Sequence, residues 1–183
     1  MATDDPRKLQ RERLLALRAN LPDRVQCERE LGDRIADWLA HADARALGFY
    51  WPIRGEPDLR GVVADWLESG PRRVAALPVV LGDALEFHAW TREASLQAGD
   101  FGIPVPAHGR PMHPDALLIP CVGFDARRYR LGYGGGYYDR TLARMVPWPL
   151  TVGIAFECGR LDTIEPRPHD MQVDVVITEA GVF

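Results

Sequence analysis

One stretch constrains this chain more than any other: an apolar run that passes into a glycine cluster and then into a helix. Ala116-Leu117-Leu118-Ile119-Pro120-Cys121-Val122-Gly123-Phe124 is apolar throughout. That pattern predicts a strand covered on both faces rather than one with a wet side. RLGYGGGYYDR follows at 130–140, with glycine at 132, 134, 135 and 136. Glycine is costly to order, so such a cluster needs a reason. Tyr137 to Met145 then reads as a helix. Strand, glycine loop and helix in succession are the building unit of an α/β protein.

The rest of the chain repeats the alternation. Residues 46–51, 74–80, 84–90, 150–156 and 173–178 read as further strands, and 59–68 as a helix stopped by Ser69-Gly70-Pro71. Residues 91–114 are rich in Gly and Pro and read as irregular. At the N-terminus, Asp4-Asp5-Pro6 is a helix start, a capping acid before proline at the first helical position. Helical spacing runs from there to about Ala19. At about 100° per residue, Arg7, Arg11 and Arg18 fall within about 40° of one another. Leu14, Leu17 and Leu21 form the expected apolar stripe beside this ridge. Pro22-Asp23 opens a second helix with Leu31, Ile35, Trp38 and Leu39 at helical spacing. The expected architecture is a three-layer α/β/α-like fold around a mainly parallel central sheet. It would form a single domain, 1–183, with the helical pair of 1–41 packed on the α/β core.

Composition narrows the function classes. The 183 residues are 46% hydrophobic and 26% charged, an ordinary globular balance. Lys and Arg number 22 against 26 Asp and Glu, a formal charge of −4, which argues against a dedicated nucleic-acid binder. Cys27, Cys121 and Cys158 lie far apart, which gives no zinc pattern and suits a reducing cytosol. The first residues are too polar for a signal peptide. No run reaches the roughly 20 apolar residues a membrane helix needs. The expectation is a cytoplasmic monomer acting on small molecules, without a nucleic-acid or membrane partner.

Three readings of the glycine loop compete. It could be a surface turn. It could be a dinucleotide fingerprint, but the spacing is wrong for GxGxxG because position 137 is tyrosine. It could be an anion cradle, although it holds no lysine and no GxxxxGK[ST]. Its place between an apolar strand and a helix favours the cradle, with backbone N–H groups free for phosphate. Arg127, Arg128, Arg130 and Arg140 flank it, and the ridge of the first helix could supply more charge. Asp139 beside phosphate would be repulsive without a cation between them, which suggests Mg²⁺. Asp174, at the start of the last strand, is a candidate second carboxylate.

Together these residues resemble the 5-formyltetrahydrofolate cyclo-ligase family. The resemblance takes in Arg7-x3-Arg11 with Arg18, Gly55-Glu56, and Phe101-Gly-Ile-Pro-Val-Pro. It continues through Leu118-Ile-Pro-Cys-Val-Gly-Phe-Asp125, RLGYGGGYYDR, and His169-Asp170-x3-Asp174-x2-Ile177-Thr178. It covers nearly the whole chain, and the glycine string is its most specific part. The resemblance implies ATP- and Mg²⁺-dependent closure of 5-formyltetrahydrofolate to 5,10-methenyltetrahydrofolate. ADP and phosphate are released, through phosphorylation of the formyl oxygen and attack by N10. A catalytically inactive binding module of the same fold is the alternative, and a sugar-phosphate or CoA-handling enzyme a more distant one.

By the same resemblance, Arg7, Lys8, Arg11 and residues 130–138 (Arg130, Leu131, Gly132, Tyr133, Gly134, Gly135, Gly136, Tyr137, Tyr138) would bind ATP. Trp51, Glu56, Tyr133, Gly134, Gly135, Gly136 and Tyr137 would meet the folate. Arg130 and Tyr137 would be catalytic, and Asp139 with Asp174 would hold Mg²⁺. Some family members carry Lys or Arg inside the loop, where this chain has Tyr133 and Gly135, so the charge must come from Arg130 and the first helix. Arg127 and Arg128 are candidates, from charge alone, for a polyglutamate tail. His169 reads as a packing or surface residue.

Overall fold

The structure, a computed structural model, describes residues 5–183, so Asp4 of the expected helix start lies outside them. Helix α1 spans Pro6–Ala19, with the Asp5 side chain accepting from the Arg7 N–H. Helix α2 spans Arg24–His41 and buries Leu31, Ile35 and Leu39, the face its spacing predicts. Strand β1 (Ala46–Gly48), α3 (Arg60–Glu68), β2 (Val74–Leu81) and β3 (Ala84–Trp90) follow. The segment expected to be irregular carries β4 (Leu96–Ala98), a 3-10 turn at 100–102, β5 (Pro104–Pro106) and β6 (Pro111–Met112). The long apolar run divides into β7 (Ala116–Pro120) and β8 (Gly123–Asp125), and β9 (Arg130–Leu131) leads into the glycine loop. Helix α4 (Tyr137–Leu142), β10 (Leu150–Ile154), β11 (Arg160–Leu161), β12 (Val175–Thr178) and β13 (Gly181–Val182) complete the chain.

Eight strands form the main sheet in the order β13-β12-β10-β7-β1-β2-β3-β6. The five central ones, β12 to β2, run parallel. The edges are antiparallel: β3 and β6 on one side, β13 on the other. The sheet is buried on both faces, as the unbroken apolar runs predict. Leu47, Ala75, Leu77, Leu118 and Val152 pack under α2 and α3. Ala76, Leu117, Ile119 and Val176 turn to the other face, against Leu142 of α4. This alternation is the two-residue period of a strand. Pro120 ends β7, and the chain leaves the sheet for the small ribbon β11-β8-β9. From β1 the chain steps to β2 on one side and later to β7 on the other. The gap past the C-terminal ends of β1 and β7 is therefore a topological switch point, where open parallel sheets bind ligands.

Helix α1 packs differently from its sequence pattern. Leu14 is buried, but Leu17 is 44% exposed. Arg7 and Arg18 are buried instead. The arginine ridge faces inward, its aliphatic stems taking the place of the apolar seam. Each ridge arginine has a polar acceptor waiting on the other side.

Candidate active site

A cleft of about 500 Å³ opens at that switch point. One wall is the glycine loop with α1. The other is the segment after β1, with Trp51 and Glu56, and the turn carrying Phe101 adds to the lining. Arg7, Arg11, Trp51, Glu56, residues 130–138 and Asp139 all line it, so nearly all the expected site residues meet here. Two do not. Lys8 is exposed on α1 and forms no part of the wall. Asp174 is also away from the cleft. Its Oδ2 accepts from the Thr151 N–H (2.8 Å) and hydroxyl (2.7 Å). It precedes β12 and pairs with the start of β10, at the N-terminal end of parallel strands whose C-terminal end forms the cleft. The acid of this segment that does line the cleft is Asp170, four residues earlier.

The inward arginines hold the loop in place. Arg11 Nε donates to the Gly132 carbonyl (2.7 Å), and Arg140 Nη2 donates to the Gly135 carbonyl (2.7 Å). With those carbonyls held, no backbone acceptor among the described residues takes the N–H of Gly134, Gly135 or Gly136. Gly134 and Gly136 have φ of 97° and 67°, a left-handed backbone that other residues adopt at a cost. A Cβ on Gly134 would sit 3.4 Å from the Arg11 guanidinium carbon. At these two positions glycine is thus favoured by backbone conformation, with α1 in van der Waals contact beside Gly134.

Charges in the cleft come as neighbouring pairs. Arg130, 7% exposed, donates to Asp139 Oδ1 (2.8 Å) and to the Met171 carbonyl (2.6 Å). The Met171 N–H donates to the same Asp139 oxygen. Arg7 meets both oxygens of Asp170 and the Glu165 carbonyl. The bonds from Arg7 and the Arg167 N–H hold the Asp170 carboxyl below its ordinary value against burial, which raises it. Among the described residues no group of three or more His, Cys, Asp or Glu could hold a metal alone. Mg²⁺ held jointly with phosphate needs only one or two carboxylates. Asp139 fits that donor set, since no described residue donates to its Oδ2.

The opposite wall has another chemistry. Glu56 is 4% exposed, and burial pushes its carboxyl up to about 7. The Ile53 N–H (2.9 Å), the Tyr133 hydroxyl and the charges of Arg18 and Arg54 oppose that rise. Trp51 lies under the Arg60 guanidinium, 4.4 Å from its ring centre. Of the two tyrosines that open α4, Tyr138 packs against the core beside Leu142. Tyr137 meets Phe101 edge to face, ring centres 6.0 Å apart. His169 lines the cleft with its side chain 70% exposed. Arg127 and Arg128 lie elsewhere, on Thr163 and the Val173 carbonyl. Arg54, Asp100, Arg167 and Asp170 are cleft residues that sequence reasoning did not assign. Only Asp170 stood in a quoted motif.

Both the sequence and the fold have known relatives. A family model described as the 5-formyltetrahydrofolate cyclo-ligase family matches residues 4–179. A 5-formyltetrahydrofolate cyclo-ligase from Mycolicibacterium smegmatis is 30% identical over 183 residues, 92% of this chain and 91% of that protein. One from Haemophilus influenzae is 24% identical over 91% of this chain and 95% of its own. The solution structure of an Aquifex aeolicus 5,10-methenyltetrahydrofolate synthetase superposes with a TM-score of 0.79 at 31% identity, covering 96% of this chain and 91% of that one. A Mycoplasma pneumoniae 5,10-methenyltetrahydrofolate synthetase, at 23% identity, shares the fold with a TM-score of 0.78 over 96% of this chain and 99% of its own. Matched along nearly its whole length, the chain belongs to the 5-formyltetrahydrofolate cyclo-ligase family.

Proposed function

We propose that this protein closes 5-formyltetrahydrofolate to 5,10-methenyltetrahydrofolate at the expense of ATP, with Mg²⁺. One observation carries the reading. A glycine loop whose carbonyls are held by Arg11 and Arg140 shares one cleft with a buried Glu56 and a Trp51 ring. An anion cradle and a site for a flat, hydrogen-bonding heterocycle thus share one cleft.

The loop N–H groups, Arg11 and Arg7 would take the triphosphate, and Arg130 would offset charge on the transferred phosphoryl group. Mg²⁺, held by Asp139 and by Asp170 once Arg7 turns to phosphate, would supply charge neutralisation at the phosphates. Glu56 would accept from pterin N–H groups, for which a carboxylate is the natural partner. Tyr137, which lines the same cleft, would orient the formyl group. The formyl oxygen attacks the γ-phosphorus and ADP departs. N10 then attacks the activated carbon, its proton is lost, and the oxygen leaves with phosphate. The protein's part is positioning and electrostatics, as in other phosphoryl transfers. Cys121, buried with its thiol pushed up to about 11, is no nucleophile.

The same reading makes the protein a cytoplasmic monomer with small-molecule partners. No helix among the described residues is long and apolar enough to cross a membrane. The test is stoichiometry. Purified protein given folinate, ATP and Mg²⁺ releases one ADP per methenyl product, read by absorbance, and none when any component is omitted. Folinate binding without product would favour the inactive-module alternative.

A further inference from the structure

Arg18 is the most buried cation of the ridge, at 2% exposure, and no carboxylate among the described residues touches it. A buried charge without a direct counterion is costly, so its placement needs a cause. Its Nη2 donates to the Cys121 carbonyl, where the chain leaves the sheet, and its Nη1 donates to the Tyr133 hydroxyl (3.0 Å). That hydroxyl and the Glu56 carboxyl line the same cleft, and the hydroxyl favours the ionised carboxyl. The stem of Arg18 lies against the turn that presents Glu56, within 4 Å of where a Gly55 Cβ would be. Arg54, with left-handed backbone in the same turn, covers the Tyr133 ring at 5.3 Å.

We propose that Arg18 and Tyr133 are positioning residues for the folate, acting through Glu56. Tyr133 belongs to the glycine loop by sequence and serves the opposite wall by geometry. Its hydroxyl receives from Arg18, whose stem packs on the Gly55 turn, so α1 reaches the substrate side both through Tyr133 and through the turn that presents Glu56. The Ile53 N–H holds Oε2 of the carboxyl, which lines the cleft together with Tyr133. Arg18 supplies the distant positive charge that favours the ionised form. Arg11 and Arg140 hold the loop carbonyls independently, so the phosphate side does not depend on these contacts.

This inference rests on the reading of the cleft given above, and its test separates the two. Tyr133→Phe keeps the ring and the Arg54 contact and removes only the hydroxyl. The expected result is a rise of about tenfold in KM for folinate, with KM for ATP within about twofold of wild type, the effect of one hydrogen bond to a charged group. Arg18→Met should act the same way wherever its melting temperature shows it folded. In a Glu56→Gln background, Tyr133→Phe should add no more than about twofold, because both act through one carboxyl. Folinate binding, followed by tryptophan fluorescence, should show the same pattern without turnover. Equal losses for both substrates, or a full tenfold loss that persists in Glu56→Gln, overturns the inference. A wild type that binds and turns over folinate beside an unchanged Tyr133→Phe removes this inference alone. A wild type that does neither removes the reading of the cleft and this inference with it.

Discussion

Replacing Glu56 with glutamine should change how stability responds to pH, and the size of the change follows from burial. Its carboxyl stands at 4.5 in its ordinary state and at about 7 in the fold, chiefly because burial disfavours the charge. Arg18 and Arg54 favour ionisation, while Tyr50, Tyr133 and Tyr138 surround the group as neutral phenols. A carboxyl raised in the fold binds its proton more tightly folded than unfolded. Its stabilising contribution is therefore complete below about pH 4.5 and is lost as pH rises through about 7. At 1.36 kcal/mol for each pH unit, the loss is at most about 3 kcal/mol. Glutamine keeps an oxygen for the Ile53 N–H and does not ionise. In urea titrations at pH 5, 6, 7 and 8, wild type should fall relative to Glu56→Gln by about 1–3 kcal/mol across the series, the other titrating groups cancelling in the difference. A gap between the two proteins that is the same at pH 5 and pH 8 would refute the reasoning. The same ionisation should make folinate bind more tightly above pH 7 than at pH 6, since the carboxylate is the better acceptor.

Four further outcomes are expected. Asp139→Asn and Asp170→Asn should each raise the Mg²⁺ concentration needed for half-maximal turnover about tenfold or more, whereas Asp174→Asn should leave it unchanged and lower stability by about 1 kcal/mol through its Thr151 bonds. Arg11→Met should raise KM for ATP at least tenfold, as measured by ADP release, because the Gly132 carbonyl loses its donor and the phosphates lose a cation. Gly134→Ala should cost about 1–2 kcal/mol in unfolding free energy, from a backbone at φ 97°, and should also weaken ATP binding. Leu118→Ala, at a fully enclosed position under α2 and α3, should cost about 2–5 kcal/mol in a urea melt with KM values preserved.

Much of this architecture was legible because it rests on local pattern. The unbroken apolar run at 116–120 predicts a doubly covered strand, and Leu31, Ile35 and Leu39 predict the buried face of α2. The glycine loop was legible because its place between an apolar strand and a helix pointed to a cradle, and Gly134 and Gly136 do take the left-handed backbone that glycine favours. What escaped depends on direction and distance. Asp170 and Asp174 are equally plausible acids in sequence. Strand polarity separates them, since Asp174 enters β12 at the end opposite the cleft. Leu17 fits an apolar stripe, but the acceptors beneath α1 are carbonyls, a phenol and a carboxylate, so the arginine face turns inward. The edge pairing of β6 rests on two residues with proline at one of them, which no propensity marks as a strand. Tyr133 sits within a phosphate-loop pattern, and its partner Glu56 lies 77 positions earlier in the chain.

The central claim is that one cleft holds the triphosphate at the glycine loop and the reduced folate at Glu56. A crystal structure with folinate, Mg²⁺ and a non-hydrolysable ATP analogue tests it most directly. The account predicts γ-phosphate density within hydrogen-bond reach of the N–H groups of residues 134–136, with the pterin ring against Glu56 and the formyl oxygen facing the γ-phosphorus. Phosphate density away from residues 130–139, or a pterin that leaves Glu56 without a contact, would contradict it.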